Sequence, residues 1–211
     1  MKLYTYFRSS AAFRVRIALN LKGLAYAPQF VHLAKGEHRK PDYAEVNAQA
    51  LVPTLVLDDG TRLTQSLAII EYLDEKHPQP PLVPSNPLER ARVRALSLLV
   101  ACEIHPLNNL RVLQHLKRQL GQNEEQVNSW YRHWVADGLQ KFEAELKNGA
   151  GTFCHGDAPT MADCCLVPQI FNAKRYQCDL APYPATLRAF EACMKLEAFD
   201  RAQPSRQPDA E

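Results

Sequence analysis

The chain has 211 residues, with 25 lysines and arginines against 23 aspartates and glutamates. That length can bury a full core, and the near-neutral balance sets aside nucleic acid as the main partner. Its six cysteines form no Cys-x-x-Cys pair and show no zinc-type spacing, which argues against a metal site and a dithiol redox motif and fits a reduced set. No segment approaches eighteen uninterrupted apolar residues, and the stretch before Arg8 is too short for a secretory leader. A cytoplasmic protein without a membrane partner is expected.

In chain order, Lys2 to Phe7 reads as a short strand of aromatic and β-branched residues, and Arg8-Ser9-Ser10 leads directly into a helix. Ala11, Val15, Ala18 and Leu19 carry the three-and-four spacing of that helix, and Gly23 ends it. Either serine can cap it. A helix start leaves N–H groups unpaired and carries partial positive charge, so two hydroxyls and an arginine there suit an anion. Serines that do nothing but cap are the simpler reading.

Tyr26 to Leu33 reads as a second strand, parallel to the first because a helix crosses between them. Ala34 to Asn47 reads as a polar loop with at most one helical turn. Leu51–Leu57 and Thr61–Thr64, joined through Gly60, predict a hairpin whose Pro53 belongs at the strand entry. Gln65-Ser66 then precedes an apolar helix, with Ser66 as its expected N-cap. Five of the fifteen prolines fall between His77 and Pro87, so neither helix nor sheet can cross that stretch, and the domain linker is placed there. Beyond it the pattern is helical. A long run from Glu89 to about Leu120 breaks at His105-Pro106, a second helix covers Gln126 to Leu146, and a capping-box-like Thr160–Asp163 opens a third.

The run from Phe7 to Leu19, FRSSAAFRVRIAL, resembles the signature of the zeta-class glutathione transferases, and further stretches extend the resemblance over nearly the whole chain. The class carries a cysteine directly after the serine pair where this chain has Ala11. The resemblance implies an α/β thioredoxin-like domain (βαβββα) over residues 1–80 and an all-α domain over 88–211, together a glutathione transferase fold. It implies glutathione as cofactor and a homodimer as the assembled form. It also implies that Val52-Pro53 is cis and that Val52 pairs its backbone with the cysteinyl part of glutathione. Gln65 and Ser66 would hold the γ-glutamyl carboxylate, with His38 at the glycyl end and His105 and Asn109 along the cleft. Ser9 and Ser10 are the expected stabilisers of the thiolate, whose unperturbed thiol pKa of about 8.5 leaves little of it ionised at neutral pH. The stretch Gly156–Asp163 resembles a folding element and is treated as structural.

Within the class the resemblance is greatest to glutathione-dependent cis–trans isomerases of aromatic catabolism, which act on maleyl keto acids by reversible thiolate addition. Arg8, Arg111 and Arg175 are the expected carboxylate holders. Arg111 is less general to the class, and a guanidinium there suits the compact keto-acid end of maleylpyruvate, so maleylpyruvate is expected ahead of maleylacetoacetate. A transferase that consumes glutathione and a non-catalytic binding protein are the competing readings.

Overall fold

A computed structural model describes residues 1–147 and 149–211. They form two compact units, one of Met1–Val83 together with Met194–Glu211, the other of Pro84–Cys193.

The first unit is built on a four-stranded sheet of order β2-β1-β3-β4. Strand β1 (Lys2–Thr5) runs parallel to β2 (Ala27–Phe30) and antiparallel to β3 (Thr54–Val56), which continues antiparallel to β4 (Arg62–Thr64). Leu3 and Leu55 face each other across the central pair, both fully buried. Helix α1 (Ser10–Leu21) makes the expected crossover and packs on α3 (Ser66–Lys76), while the short helix α2 (Pro41–Val46) contributes Tyr43 to a cluster with Tyr6, Phe7, Val31 and Val52. Ala34–Asn47 is therefore more ordered than its polarity suggests: a 3₁₀ turn at Glu37–Arg39 precedes α2, whose first residue is Pro41. Gly23, at φ +63°, ends α1 as expected, with the Leu24 N–H donating to the Leu19 carbonyl at 2.9 Å.

The proline-rich linker is tied down at its start. Lys22 bonds Asp74 at 2.8 Å and donates to the His77 and Pro80 carbonyls, and the other donors to Asp74 are the Leu82 and Val83 N–H groups. Residues 194–211 group with the sheet-containing unit, where helix α9 (Glu197–Asp200) packs on α1.

The second unit opens with α4 (Pro87–Leu98), capped by Asn86, whose Oδ1 accepts the Leu88 and Glu89 N–H groups. A stretch of π-helix, Leu99–Ile104, follows and ends with the His105 N–H on the Val100 carbonyl at 3.0 Å. It lies close to α6 (Glu124–Lys147) because Gly138 has no side chain: a Cβ there would meet the Ile104 Cγ1 at 2.2 Å. The expected break at Pro106 is present. Pro106–Asn108 is a 3₁₀ turn, and α5 (Leu110–Arg118) starts anew. Helices α7 (Met161–Arg175) and α8 (Pro184–Met194) complete the unit, and all six cysteines are free.

Candidate functional site

The β1–α1 junction is held by both backbone and side-chain bonds. Ser9 is the N-cap of α1, its hydroxyl oxygen accepting the Ala12 N–H at 3.2 Å, and its own N–H donates to the Tyr6 carbonyl at 2.9 Å. Capping uses the oxygen only, so the hydroxyl proton stays available to an acceptor beyond the helix. Ser10 is the first helical residue and is buried. No acidic residue lies in the first turn, so the positive end of α1 keeps its field. Arg8 is exposed, its guanidinium 4.7 Å from the centre of the Phe7 ring.

The start of α3 is a second such place, with one change from the expected arrangement. Gln65, not Ser66, is the capping residue, at φ +67° and without a side-chain cap bond, and Ser66 is the first helical residue. A non-glycine residue held in the left-handed region is strained, and strain of this kind concentrates at binding sites. Gln65 is steadied by Gln49, whose Oε1 accepts its Nε2 at 2.8 Å. Ser66 is buried and accepts the Arg14 guanidinium at 3.3 Å, so a cation from α1 stands beside the α3 start.

Two further groups in this unit offer polar atoms. Val52 precedes a cis peptide to Pro53, and among the described residues its backbone N–H and C=O have no backbone partner, leaving them open to an extended peptide. Around it, Leu51 is fixed by Tyr43 and Asn47, whose side chains donate to its carbonyl at 2.6 and 2.8 Å. His38 is buried with its Nδ1 unpartnered, and burial pulls its pKa below the ordinary value, Arg39 adding to the effect. A neutral imidazole results.

The remaining expected site residues lie in the helical unit. His105 and Asn109 do not share a helical turn: Asn109 is extended and caps α5, its Oδ1 accepting the Arg111 N–H at 3.2 Å. The segment between them is pinned to α6, with Trp130 Nε1 donating to the Leu107 carbonyl at 2.9 Å and Asn108 to the Tyr131 carbonyl at 3.4 Å. Arg111 is exposed in the first turn of α5. Arg175, at the end of α7, lies 5.2 Å from the Tyr176 ring centre and lines a cavity of about 500 Å³ with Leu113, Lys117 and Arg132. The buried thiols do not supply an anion. Burial pushes Cys178 up to about 11 and Cys154 and Cys193 well above the ordinary thiol range.

Comparison with known proteins fits this geometry. Residues 8–76 match the family model of the glutathione S-transferase N-terminal domain. The maleylacetoacetate isomerase of Pseudomonas aeruginosa is 49% identical over 99% of this chain and 98% of its own. A holo structure of a zeta-class bacterial maleylpyruvate isomerase superposes on this chain with a TM-score of 0.97 at 46% identity, covering all of both chains. The chain is a zeta-class glutathione transferase. A maleylacetoacetate isomerase of Methylobacterium extorquens AM1 with bound malonate and glutathione superposes equally well, at 0.97 and 44% identity over all of both chains.

Sequence reasoning passed over three residues that organise this transferase's N-terminal site. Arg14 and Arg16 are both buried on α1, and Asp209, from the far end of the chain, accepts the Phe7 N–H. The signal for the arginines was present. A helix reading Ala, Phe, Val, Ile, Ala and Leu around them has no wide polar face to carry them in water.

Proposed function

We propose that this transferase is a glutathione-dependent cis–trans isomerase of maleyl keto acids, with maleylpyruvate preferred. The observation that carries the reading is the open, acid-free start of α1 with Ser9 and Ser10 on it, in a chain whose full-length relatives are isomerases. The residues fit glutathione. Val52 offers an unpaired backbone edge to its cysteinyl unit, the Ser66 helix start and Gln65 suit the γ-glutamyl carboxylate, and the unpartnered Nδ1 of His38 suits its glycyl end. His105 and Asn109 complete the cofactor-binding set.

When bound, glutathione supplies a thiolate that adds to the cis double bond and departs after rotation, leaving the trans isomer and the cofactor unconsumed. Ser9 and Ser10 donate to the sulfur and favour its charged form, with the α1 dipole adding to the effect. Arg8, Arg111 and Arg175 hold the substrate's carboxylates and stabilise charge developing on its carbonyl oxygen. Arg111 supports the maleylpyruvate preference, because its planar fork can meet a carboxylate and an adjacent keto oxygen together. Maleylacetoacetate is the second reading, favoured by the names of relatives as similar as 49%.

The working form is read as a cytoplasmic homodimer. No described helix is long and apolar enough to cross a membrane. The test is turnover of a maleyl keto acid with catalytic glutathione. Loss of the cis absorbance at constant total free thiol is the expected result, and thiol consumed in proportion to product refutes isomerisation.

A further inference from the structure

Arg16 is fully buried, yet all three of its guanidinium nitrogens donate. Nε gives to the Ala202 carbonyl at 3.1 Å. Nη1 gives to Thr5 Oγ1 at 3.0 Å and the Tyr6 carbonyl at 3.3 Å, and Nη2 gives to the Phe7 carbonyl at 3.1 Å. Three of these four acceptors are on consecutive residues, Thr5 at the end of β1 and Tyr6 and Phe7 just past it, immediately before Arg8, Ser9 and Ser10. The Tyr6 carbonyl also accepts the Ser9 N–H at 2.9 Å, so Arg16 and the capping serine share one oxygen.

Phe7 is gripped from its other side too. Its N–H donates to Asp209 Oδ2 at 3.0 Å, while the other oxygen of Asp209 is buried without a hydrogen bond, and the carboxylate as a whole attracts Arg16 electrostatically. The buried Phe7 ring is in turn the surface on which the Arg8 guanidinium rests. One residue thus has its N–H, its carbonyl and its ring engaged, and each engagement leads to Arg8 or to the serine pair. Burial pulls Arg16 down to about 10, so it stays charged at neutral pH.

We propose that Arg16 and Asp209 are positioning residues for the reaction, clamping Phe7 so that Ser9, Ser10 and Arg8 face thiolate and substrate, and making residues 202–209 part of the working site. The proposal rests on the glutathione-thiolate reading. A clamp that served only the fold would change melting temperature and leave the chemistry of each folded molecule alone. A positioning clamp moves the ionisation of bound thiol, because hydroxyl donors act over tenths of an ångström.

Asp209 tests this while leaving the arginine and its four hydrogen bonds in the chain. The measurements are kcat, KM for glutathione and substrate, and the pKa of enzyme-bound glutathione thiol from its thiolate ultraviolet absorbance. Asp209→Ala is expected to lower kcat roughly tenfold, short of the hundredfold that a full ångström of misplacement brings, and to raise the bound-thiol pKa while glutathione KM changes little. Asp209→Asn keeps an oxygen for the Phe7 N–H and is expected to restore most of the kcat. If the unaltered enzyme shows no lowered thiol pKa, the serine reading falls and the clamp with it. If that pKa is lowered but Asp209→Ala leaves it and kcat unchanged, the clamp alone is overturned.

Discussion

Two helix starts in the helical unit and two in the sheet unit are finished in different ways. In the helical unit, α7 is closed by Asp163 in its own first turn, a fully buried carboxylate that accepts the Thr160 N–H at 2.8 Å, the Thr160 hydroxyl at 3.0 Å and the Cys154 N–H at 2.9 Å. The start of α8 is closed by Glu143 reaching from α6, which accepts the Ala185 and Thr186 N–H groups at 3.0 and 2.8 Å and the Thr186 hydroxyl at 2.8 Å. In the sheet unit, α1 and α3 have no acid in their first turns. A carboxylate already seated on a helix start cancels the local positive field and occupies the N–H donors. The acid-free starts of α1 and α3 are thus able to receive an anion, and both belong to the unit that carries the glutathione transferase match; α5 in the helical unit is also free of acid in its first turn, but Asn109 Oδ1 already accepts its Arg111 N–H.

This contrast can be broken at four points. Replacing Ser9 and Ser10 together by alanine removes the donors to the thiolate and should lower kcat by roughly 2.7–4 kcal/mol of barrier, since that is the cost of one lost donor to an anion in an ordered site. The loss should exceed any weakening of glutathione binding. The single Ser9→Ala should also cost about 1 kcal/mol of stability through the lost cap, and a double variant with unchanged turnover would remove the serines from the mechanism. At the closed start, Asp163→Ala should do the reverse. It strands the Thr160 N–H and hydroxyl, the Cys154 N–H and the Cys193 thiol, so a loss of about 3 kcal/mol in denaturant unfolding is expected, with kcat of the folded fraction unchanged.

Arg111→Ala should cost roughly 1.5–3 kcal/mol in kcat/KM for maleylpyruvate, the scale of a charged hydrogen bond, and less for maleylacetoacetate. Equal losses for the two compounds would end the maleylpyruvate preference and leave the isomerase reading standing. The smallest effect is that of Glu143→Gln, about 1 kcal/mol, because a neutral amide oxygen accepts more weakly than a carboxylate. Burial pushes the Glu143 carboxyl up, but the Ala185 and Thr186 donors outweigh it, so its pKa lies below the ordinary value. A depressed acid adds stability that is present above the unfolded pKa and lost as pH falls through the folded one. The glutamine variant should therefore unfold with a flatter acid limb, and urea midpoints measured from pH 7 down to pH 3 check this.

Much of this protein was legible before any coordinates. The order of strands and helices in the first eighty residues, the proline break, the break at Pro106 and the capping box at Thr160–Asp163 follow from local chemistry: β-branched runs, helical spacing, missing N–H groups and reciprocal caps. The Arg8-Ser9-Ser10 junction stood out for the same reason, since a polar triplet between strand and helix is a local feature. What only the tertiary structure decided was where residues distant in sequence come together. Asp209 reaches the Phe7 N–H across 202 positions, and Arg14 stands beside Ser66. Ser66 was placed one role away from its actual one, because whether a polar residue caps or begins a helix depends on backbone angles set by its surroundings. Burial made the rest of the difference. The sequence shows Arg16 as one basic residue among many, and only the packing of β1, α1 and the returning C-terminal segment makes it a fully enclosed cation whose donors must all be met from nearby backbone and hydroxyl oxygens.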